Sequence, residues 1–248
     1  MINEEDVFIP FVPSDLPEGP WLIFAPHADD ETYGMGGTLI KASENGVETH
    51  LVVLTDGALG GEETNLVDTR TTEVKKASDA LGISSLDCWM EEDRNLQVNE
   101  GLIRQVVKKI LAVSPTAVFF PGPMEPHPDH RATSLLVWAA LQKLNVKVRP
   151  KAYSYEISVQ NPINLLIDIS AQRAKKAVVM GIYSSQNSQN NYEDLVEALD
   201  KARTFSLSEG VNYAEGFYLY SENQLRGSLE DALLNIVARY LSKSDFRI

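Results

Sequence analysis

The chain alternates short apolar runs with amphipathic segments through its first 150 residues, and this alternation restricts the fold more than any other feature. Apolar runs rich in β-branched and aromatic residues predict buried strands, namely WLIFA at 21–25, THLVVLT at 49–55, TAVFF at 116–120 and a weaker run at 86–90. Apolar residues at helical spacing predict helices over 32–44, 70–81, 102–113 and about 131–144. Such an alternation predicts an α/β fold with a Rossmann-like, doubly wound, mostly parallel sheet and helices on both of its faces.

Beyond residue 150 the alternation is less regular. Strands are predicted for AYSYEI, NLLIDI and GFYLYS, helices for 171–182 and 229–241, and a loop for the polar stretch SSQNSQNNYED at 184–194. Because no internal repeat or linker divides the chain, the sequence predicts a single α/β domain over 1–248 that is less regular from about residue 150.

Composition excludes several classes of function. The formal charge of -13 argues against a nucleic-acid partner, which needs a basic surface, and against an anionic membrane surface. The single cysteine, Cys88, excludes an internal disulfide and a cysteine-rich zinc module. The acidic start, MINEEDVFIPFV, lacks the features of a signal peptide, and no apolar run reaches the ~20 residues of a membrane span. We therefore expect a soluble, cytoplasmic protein.

Three of the four histidines fall in two short clusters. FAPHADDE at 24–31 follows the first predicted strand, and PGPMEPHPDHR at 121–131 follows the fourth. In an open α/β sheet, ligands bind beyond the carboxyl ends of the strands, so both clusters are expected at the same edge.

Imidazole and carboxylate groups together suit a zinc ion. His27, Asp30 and one histidine from 127–130 would supply the three protein ligands of a catalytic site, and Asp29 beside them would take a proton from bound water. A plainer interpretation stays open, in which the histidines are hydrogen-bonded structural residues and the acids cap the helices that follow. On residue types and spacing alone, the two interpretations are about equally well supported.

The order of the motifs resembles the LmbE/PIG-L superfamily of zinc-dependent N-deacetylases over roughly residues 20–220. The matching elements are HADDE with Ala28 in place of the usual proline, Gly36-Gly37, Thr55-Asp56-Gly57, Arg70 with Glu73, Asp93 and the complete second signature His127-Pro128-Asp129-His130. Each histidine motif alone is weakly diagnostic, but the pair is specific.

This resemblance implies a role for each matching residue. His27, Asp30 and His130 would hold zinc, although Fe²⁺ or Co²⁺ can occupy such sites. Asp29 would be the general base, and His127 would stabilise the anionic intermediate or protonate the leaving amine. Asp129 would orient His127 by accepting its N–H. Arg70 and Asp93 would contact the sugar.

One stretch departs from a family variant that has a tyrosine just ahead of the second motif, where this chain has Met124-Glu125-Pro126. Carbonyl polarisation is then left to zinc and His127, or to another residue such as Tyr33 or Tyr183. Arg70 and Glu73 have a plainer interpretation as an ion pair on a helix surface.

The resemblance therefore implies N-deacetylation of a small N-acetylglucosamine-type sugar or conjugate. Two alternatives remain open. One is the same metal site acting on a different amide, such as a thiol–sugar conjugate or a lipid-linked sugar. The other is a non-catalytic sugar-binding protein, which would have no need of a base such as Asp29 beside the metal.

Overall fold

The computed structural model describes residues 10–61, 65–188 and 190–240, and these form one mixed sheet with helices on both faces. Its strands are β1 Trp21–Ala25, β2 Thr49–Thr55, β3 Ser85–Glu91, β4 Ala117–Pro121, β5 Lys151–Tyr155, β6 Leu165–Asp168 and β7 Ala214–Tyr220. Their spatial order is β3-β2-β1-β4-β5-β7-β6, with β1 to β5 parallel and β7 antiparallel to both β5 and β6. The predicted Rossmann-like, mostly parallel α/β fold is confirmed.

The helices complete the two faces. They are α1 Asp30–Glu44, α2 Leu66–Leu81, α3 Glu100–Val113, α4 Pro128–Lys143, α5 Arg173–Met180, α6 Ser184–Asn187, α7 Tyr192–Ala202 and α8 Leu229–Tyr240. Alternate residues of β1 point to opposite faces, so Ile23 joins a core with α1 and α2, while Phe24 joins a core with α3 and α4. None of the described helices combines the length and hydrophobicity that a bilayer crossing requires.

Helix α1 carries the first cluster and lies unusually close to the sheet. A Cβ on Gly37 would lie 2.7 Å from Ile169, and one on Gly34 would lie 2.4 Å from the Tyr155 ring. The helix is interrupted at Met35, and the carboxylate of Glu215 accepts the N–H groups of Gly37 and Thr38 just beyond the interruption. Close helix–sheet packing, rather than nucleotide binding, accounts for these glycines.

The prediction for residues 184–194 was wrong in part. The stretch contains α6 and the first residues of α7, which continues to Ala202. Helix α7 was not predicted, although Tyr192, Leu195, Val196 and Leu199 stand at helical spacing in it. The N-terminal segment 1–9 and Leu241, the end of the last predicted helix, lie outside the described residues.

Candidate active site

The two histidine clusters meet at the carboxyl edge of the parallel strands, as expected from the topology. His27 lies two residues beyond β1, where α1 begins, and His127 precedes the first turn of α4, which follows β4. Asp93 reaches the same place from the end of β3. Together these residues line a cleft of about 390 Å³, a size suited to a small substrate.

Asp30 joins the two clusters. Its Oδ2 lies 3.1 Å from Nδ1 of His27 and 3.3 Å from Nε2 of His130, and it also accepts the backbone N–H of His27 at 2.9 Å. Ligands about 2.0–2.2 Å from a tetrahedral zinc lie roughly 3.3–3.6 Å from one another. Asp30 thus contacts both histidines at close to that spacing. Among the described residues, the groups whose possible ligand atoms all lie within 4.8 Å of one another do not include Asp30, so His27, Asp30 and His130 as the metal ligands stay a prediction.

His127 lies beside the same cluster. Its ring centroid is 4.7 Å from that of His27 and 5.1 Å from that of His130. Nitrogen atoms of the three histidines lie within 4.8 Å of one another, and a second such group contains His27, Asp93, His127 and Asp129. His127 Nδ1 accepts the backbone N–H of Asp129 at 3.2 Å, so a neutral His127 ring carries its proton on Nε2.

The side chain of Asp129 does not accept a bond from His127, and this expectation was wrong. Its Oδ2 lies 3.2 Å from Nε2 of His27 and accepts the N–H of Arg94, while its Oδ1 accepts the N–H of Leu96. The cause is the direction of α4. Asp129 is in the first turn, and its side chain points toward the loop after β3 rather than back along its own helix.

Asp93 also supports His27. Its Oδ1 lies 3.2 Å from Nε2 of His27, and its Oδ2 accepts the backbone N–H of Leu59. Both oxygens therefore have partners within the protein, and direct sugar contact by Asp93 stays a prediction.

The buried charges of the cluster control one another. Burial disfavours charge on His130, but Asp30 outweighs it and raises the pKa of His130 to about 9. Burial acts in the same sense on His27, yet Asp129, Asp30 and Asp93 hold its pKa well above the usual range. Burial would raise the pKa of Asp30, but the two histidines hold that pKa far below its ordinary value. The two histidines therefore stay protonated, and Asp30 stays ionised, when no metal is bound.

Asp29 has the most unusual environment. Its backbone has φ 137° and ψ −31°, a conformation that non-glycine residues rarely adopt. Its carboxylate lies 3.2 Å from Nη2 of Arg70. Burial raises the pKa of Asp29 to about 7, although the Arg70 guanidinium acts in the opposite direction. A carboxyl group with this pKa exchanges protons near neutral pH, as a general base must.

Arg70 and Glu73 do not form a surface ion pair, so that alternative was wrong. Both side chains are buried, and Arg70 also donates to the carbonyl oxygen of Ala28. Glu73 accepts hydrogen bonds from the hydroxyls of Ser184 and Ser185. Glu73 therefore ties α2 to α6, while Arg70 faces the cleft and Asp29.

The tyrosines considered for carbonyl polarisation are engaged elsewhere. The hydroxyl of fully buried Tyr183 donates to Glu31, and that of Tyr33 donates to Asn187. Glu125, in the stretch where family variants have a tyrosine, is fully buried. Cys88 is partly buried, and burial raises its pKa, which agrees with an unreactive thiol.

Several residues of the cleft had no distinguishing sequence pattern. Arg94, Ile157 and Tyr192 line it, yet they come from three separate segments. The ring of Tyr192 stacks on that of Tyr33 at a centroid distance of 5.6 Å. These three residues meet because the ends of the parallel strands lie close together and Tyr192 of α7 lies beside them. The sequence pattern alone does not show this.

Sequence similarity to known proteins extends over much of the chain. Residues 22–141 match the protein family described as PIG-L: GlcNAc-PI de-N-acetylase. A probable N-acetyl-α-D-glucosaminyl L-malate deacetylase 2 of Bacillus anthracis is 28% identical over 80% of this chain and 94% of its own length. Diacetylchitobiose deacetylase of Thermococcus kodakarensis is 32% identical over 46% of each chain.

Solved structures share the fold. A conserved protein of Thermus thermophilus has a TM-score of 0.72 and 28% identity, covering 81% of this chain and 94% of that one. A 4-carboxy-2-hydroxymuconate hydratase of Pseudomonas putida has a TM-score of 0.70 at 19% identity over 81% of this chain and 95% of its own, which shows the fold alone. The fold therefore does not define the reaction, and the similarity to deacetylases comes from the family match and the sequence relatives. Residues 22–141 thus carry a match to the PIG-L (LmbE-like) family, and the relatives to which the chain is similar are deacetylases.

Proposed function

We propose that the protein is a zinc-dependent hydrolase, built as one α/β domain, that removes acetyl from an N-acetylglucosamine-type sugar or conjugate. The observation that carries the proposal is the contact of Asp30 with both His27 and His130, beside a carboxyl group, Asp29, with a pKa of about 7. A metal site and a base of this strength at one cleft are the parts that amide hydrolysis requires.

The donor set fits a divalent metal ion. Two imidazole nitrogens and one carboxylate oxygen are ligands that zinc accepts, and Fe²⁺ or Co²⁺ accept them as well. His27, Asp30 and His130 would hold the ion. When bound, it would polarise the amide carbonyl and lower the pKa of a bound water.

Asp29 would take the proton from the attacking water. Its raised pKa lets it accept that proton near neutral pH and release it later to the departing nitrogen. Arg70 holds the carboxylate through its Nη2 and keeps part of it ionised. Water then adds to the carbonyl carbon, the C–N bond breaks, and acetate and a free amine leave.

His127 would donate a hydrogen bond from Nε2 to the oxyanion, and the proton for the leaving nitrogen would come from Asp29. The Nδ1 atom already accepts the backbone N–H of Asp129, which leaves Nε2 as the protonated nitrogen of the neutral ring. Burial and the neighbouring histidines lower the pKa of His127. Both facts favour a neutral hydrogen-bond donor over a permanently charged imidazolium.

The cleft favours a sugar that carries an anionic group. Arg70 is paired with Asp29, whereas Arg94 lines the cleft and, among the described residues, makes no ion pair. Its guanidinium donates to the carbonyl oxygen of Leu59. An arginine so placed would bind a carboxylate, so we expect an anionic conjugate, as in the N-acetylglucosaminyl L-malate named for one relative, to be preferred over a neutral chitobiose.

The test is acetate and amine release from a panel of N-acetylated sugars. The chain is treated with a chelator, divided, and assayed with and without added zinc. We expect acetate and free amine in equal amounts, only after zinc is restored. Release of neither product from any member of the panel, with the metal bound, would contradict the proposal.

A further inference from the structure

We propose that Glu125 is a positioning residue for His130, accepting the N–H of its Nδ1 and so holding its Nε2 toward the metal. The inference rests on the proposed metal site. It assigns a task to a residue of the stretch Met124-Glu125-Pro126, just ahead of the second histidine motif.

His130 has one satisfied nitrogen and one that lacks a partner. Its Nε2 lies 3.3 Å from Asp30. Its Nδ1 is buried and, within the described part of the chain, has no hydrogen-bond partner. Buried polar groups normally have partners, and a metal-bound histidine nearly always donates its other N–H to a carboxylate, a carbonyl or water. The structure therefore calls for an acceptor on this side of the ring.

Glu125 is the carboxylate at that position. Its Oε2 lies 3.7 Å from Nδ1 of His130, about 0.5 Å beyond an ordinary N–H···O bond. A small tilt of the ring closes this gap, because the ring turns about its own side-chain bonds. Glu125 itself is completely buried, so its carboxylate has no contact with solvent or with a substrate in the cleft.

The carboxylate is held in place from the opposite side. Its Oε1 accepts the backbone N–H of Ile157 at 2.9 Å and the amide of Asn161 at 3.1 Å. Its Oε2 accepts both the backbone N–H and the hydroxyl of Ser158. Four donors make it a rigid acceptor, so a bond to His130 orients the ring rather than the carboxylate.

The same residue therefore connects the metal ligand to the wall of the cleft. Ile157 lines the cleft, and its backbone is bonded to Glu125. Loss of the carboxylate is expected to disturb His130 and this wall together. A control must therefore separate the contact with His130 from the contact with the 157–161 segment.

The variants Glu125→Gln and Ser158→Ala provide that separation. Glutamine has one acceptor oxygen, so if that oxygen keeps its bonds to Ile157 and Asn161, its NH₂ group faces His130. Ser158→Ala keeps the carboxylate and removes one hydroxyl that competes for Oε2. We expect Glu125→Gln to bind zinc about 10–100-fold more weakly in chelator competition, and Ser158→Ala to stay within about threefold of the parent.

Nitrogen NMR of the histidine rings gives a second readout that does not depend on activity. In the zinc-loaded parent, His130 is expected to carry a proton on Nδ1 and to bind through Nε2, and its Nδ1–H signal should shift in Glu125→Gln but not in Ser158→Ala. Equal losses of zinc affinity in both variants, or a His130 that binds through Nδ1, would overturn the inference. Should Glu125→Gln not fold, the NMR spectrum of the parent still decides. A parent that binds no metal would instead refute the proposed function.

Discussion

The carboxylate of Asp129 lies 3.2 Å from Nε2 of His27, a residue 102 positions earlier in the chain. Asp93 approaches the same nitrogen at 3.2 Å. Two carboxylates thus converge on the outer nitrogen of one ring, while Asp30 faces its inner nitrogen. With Nε2 so engaged, Nδ1 of His27 would be the nitrogen that faces the proposed metal site.

Asp129→Asn is therefore expected to weaken metal binding. The asparagine has one acceptor oxygen, whereas the carboxylate serves His27 and the backbone of Arg94 and Leu96. We expect a loss of about 10–100-fold in zinc affinity, a similar loss for Asp93→Asn, and a larger one for the double variant. Chelator competition measures all three. Unchanged affinity in Asp129→Asn, with a shift of only the alkaline limb of the pH–rate profile, would return Asp129 to a role at His127.

Metal affinity should rise with pH. The raised pKa values of His27 and His130, the latter about 9, mean that both rings carry protons at neutral pH in the metal-free protein. A metal ion must displace those protons, so below about pH 9 affinity falls roughly tenfold per pH unit for each proton displaced. Calorimetry in buffers of different ionisation enthalpy should count about two protons released near pH 7. If metal affinity were constant between about pH 6 and 9, His27 and His130 would not both be protonated in the metal-free protein.

Two substitutions at Asp29 should reveal its backbone strain. Both Asp29→Gly and Asp29→Ala remove the carboxylate, but only glycine adopts φ 137° at little cost. A residue held in such a region costs about 1–3 kcal/mol, so the glycine variant should have the higher free energy of unfolding by about that amount. In both, turnover should fall about 10²–10⁴-fold because the general base is lost. Urea unfolding of the two metal-free proteins makes the comparison, and equal stability would mean that the backbone at Asp29 is not strained.

Sequence predicted the parts of this site that depend on strand order. His27, Asp30 and His130 could be placed at one edge because each follows a parallel strand. The contact of Asp129 with His27 could not be predicted, because it depends on how the first turn of α4 faces the loop after β3. Helix α7 was not predicted, although its apolar residues stand at helical spacing directly after the polar stretch. The sequence does not predict a role for Glu125, because its inward direction follows from hydrogen bonds to Ile157, Ser158 and Asn161, which are distant in the chain.

Arg94 should set the preference for an anionic substrate. We compare an N-acetylglucosamine conjugate that bears a carboxylate with its neutral methyl ester. Arg94→Gln should lower kcat/KM for the carboxylate by about tenfold, the value of one charge-assisted hydrogen bond, and leave the ester unchanged. Arg94→Lys should keep part of the preference. If Arg94→Gln lowered kcat/KM equally for the carboxylate and the ester, Arg94 would support the structure of the cleft without selecting the substrate.

The most direct test of the metal-hydrolase account measures metal content and acetate release on the same samples of three proteins. Asp29→Asn cannot accept a proton, so it should keep the metal while its turnover falls about 10²–10⁴-fold. Asp30→Ala removes the oxygen that lies between His27 and His130, so it should lose metal and activity together. The parent should hold one metal ion and release acetate. Loss of metal from Asp29→Asn, with metal kept by Asp30→Ala, would reverse the two roles and contradict the account.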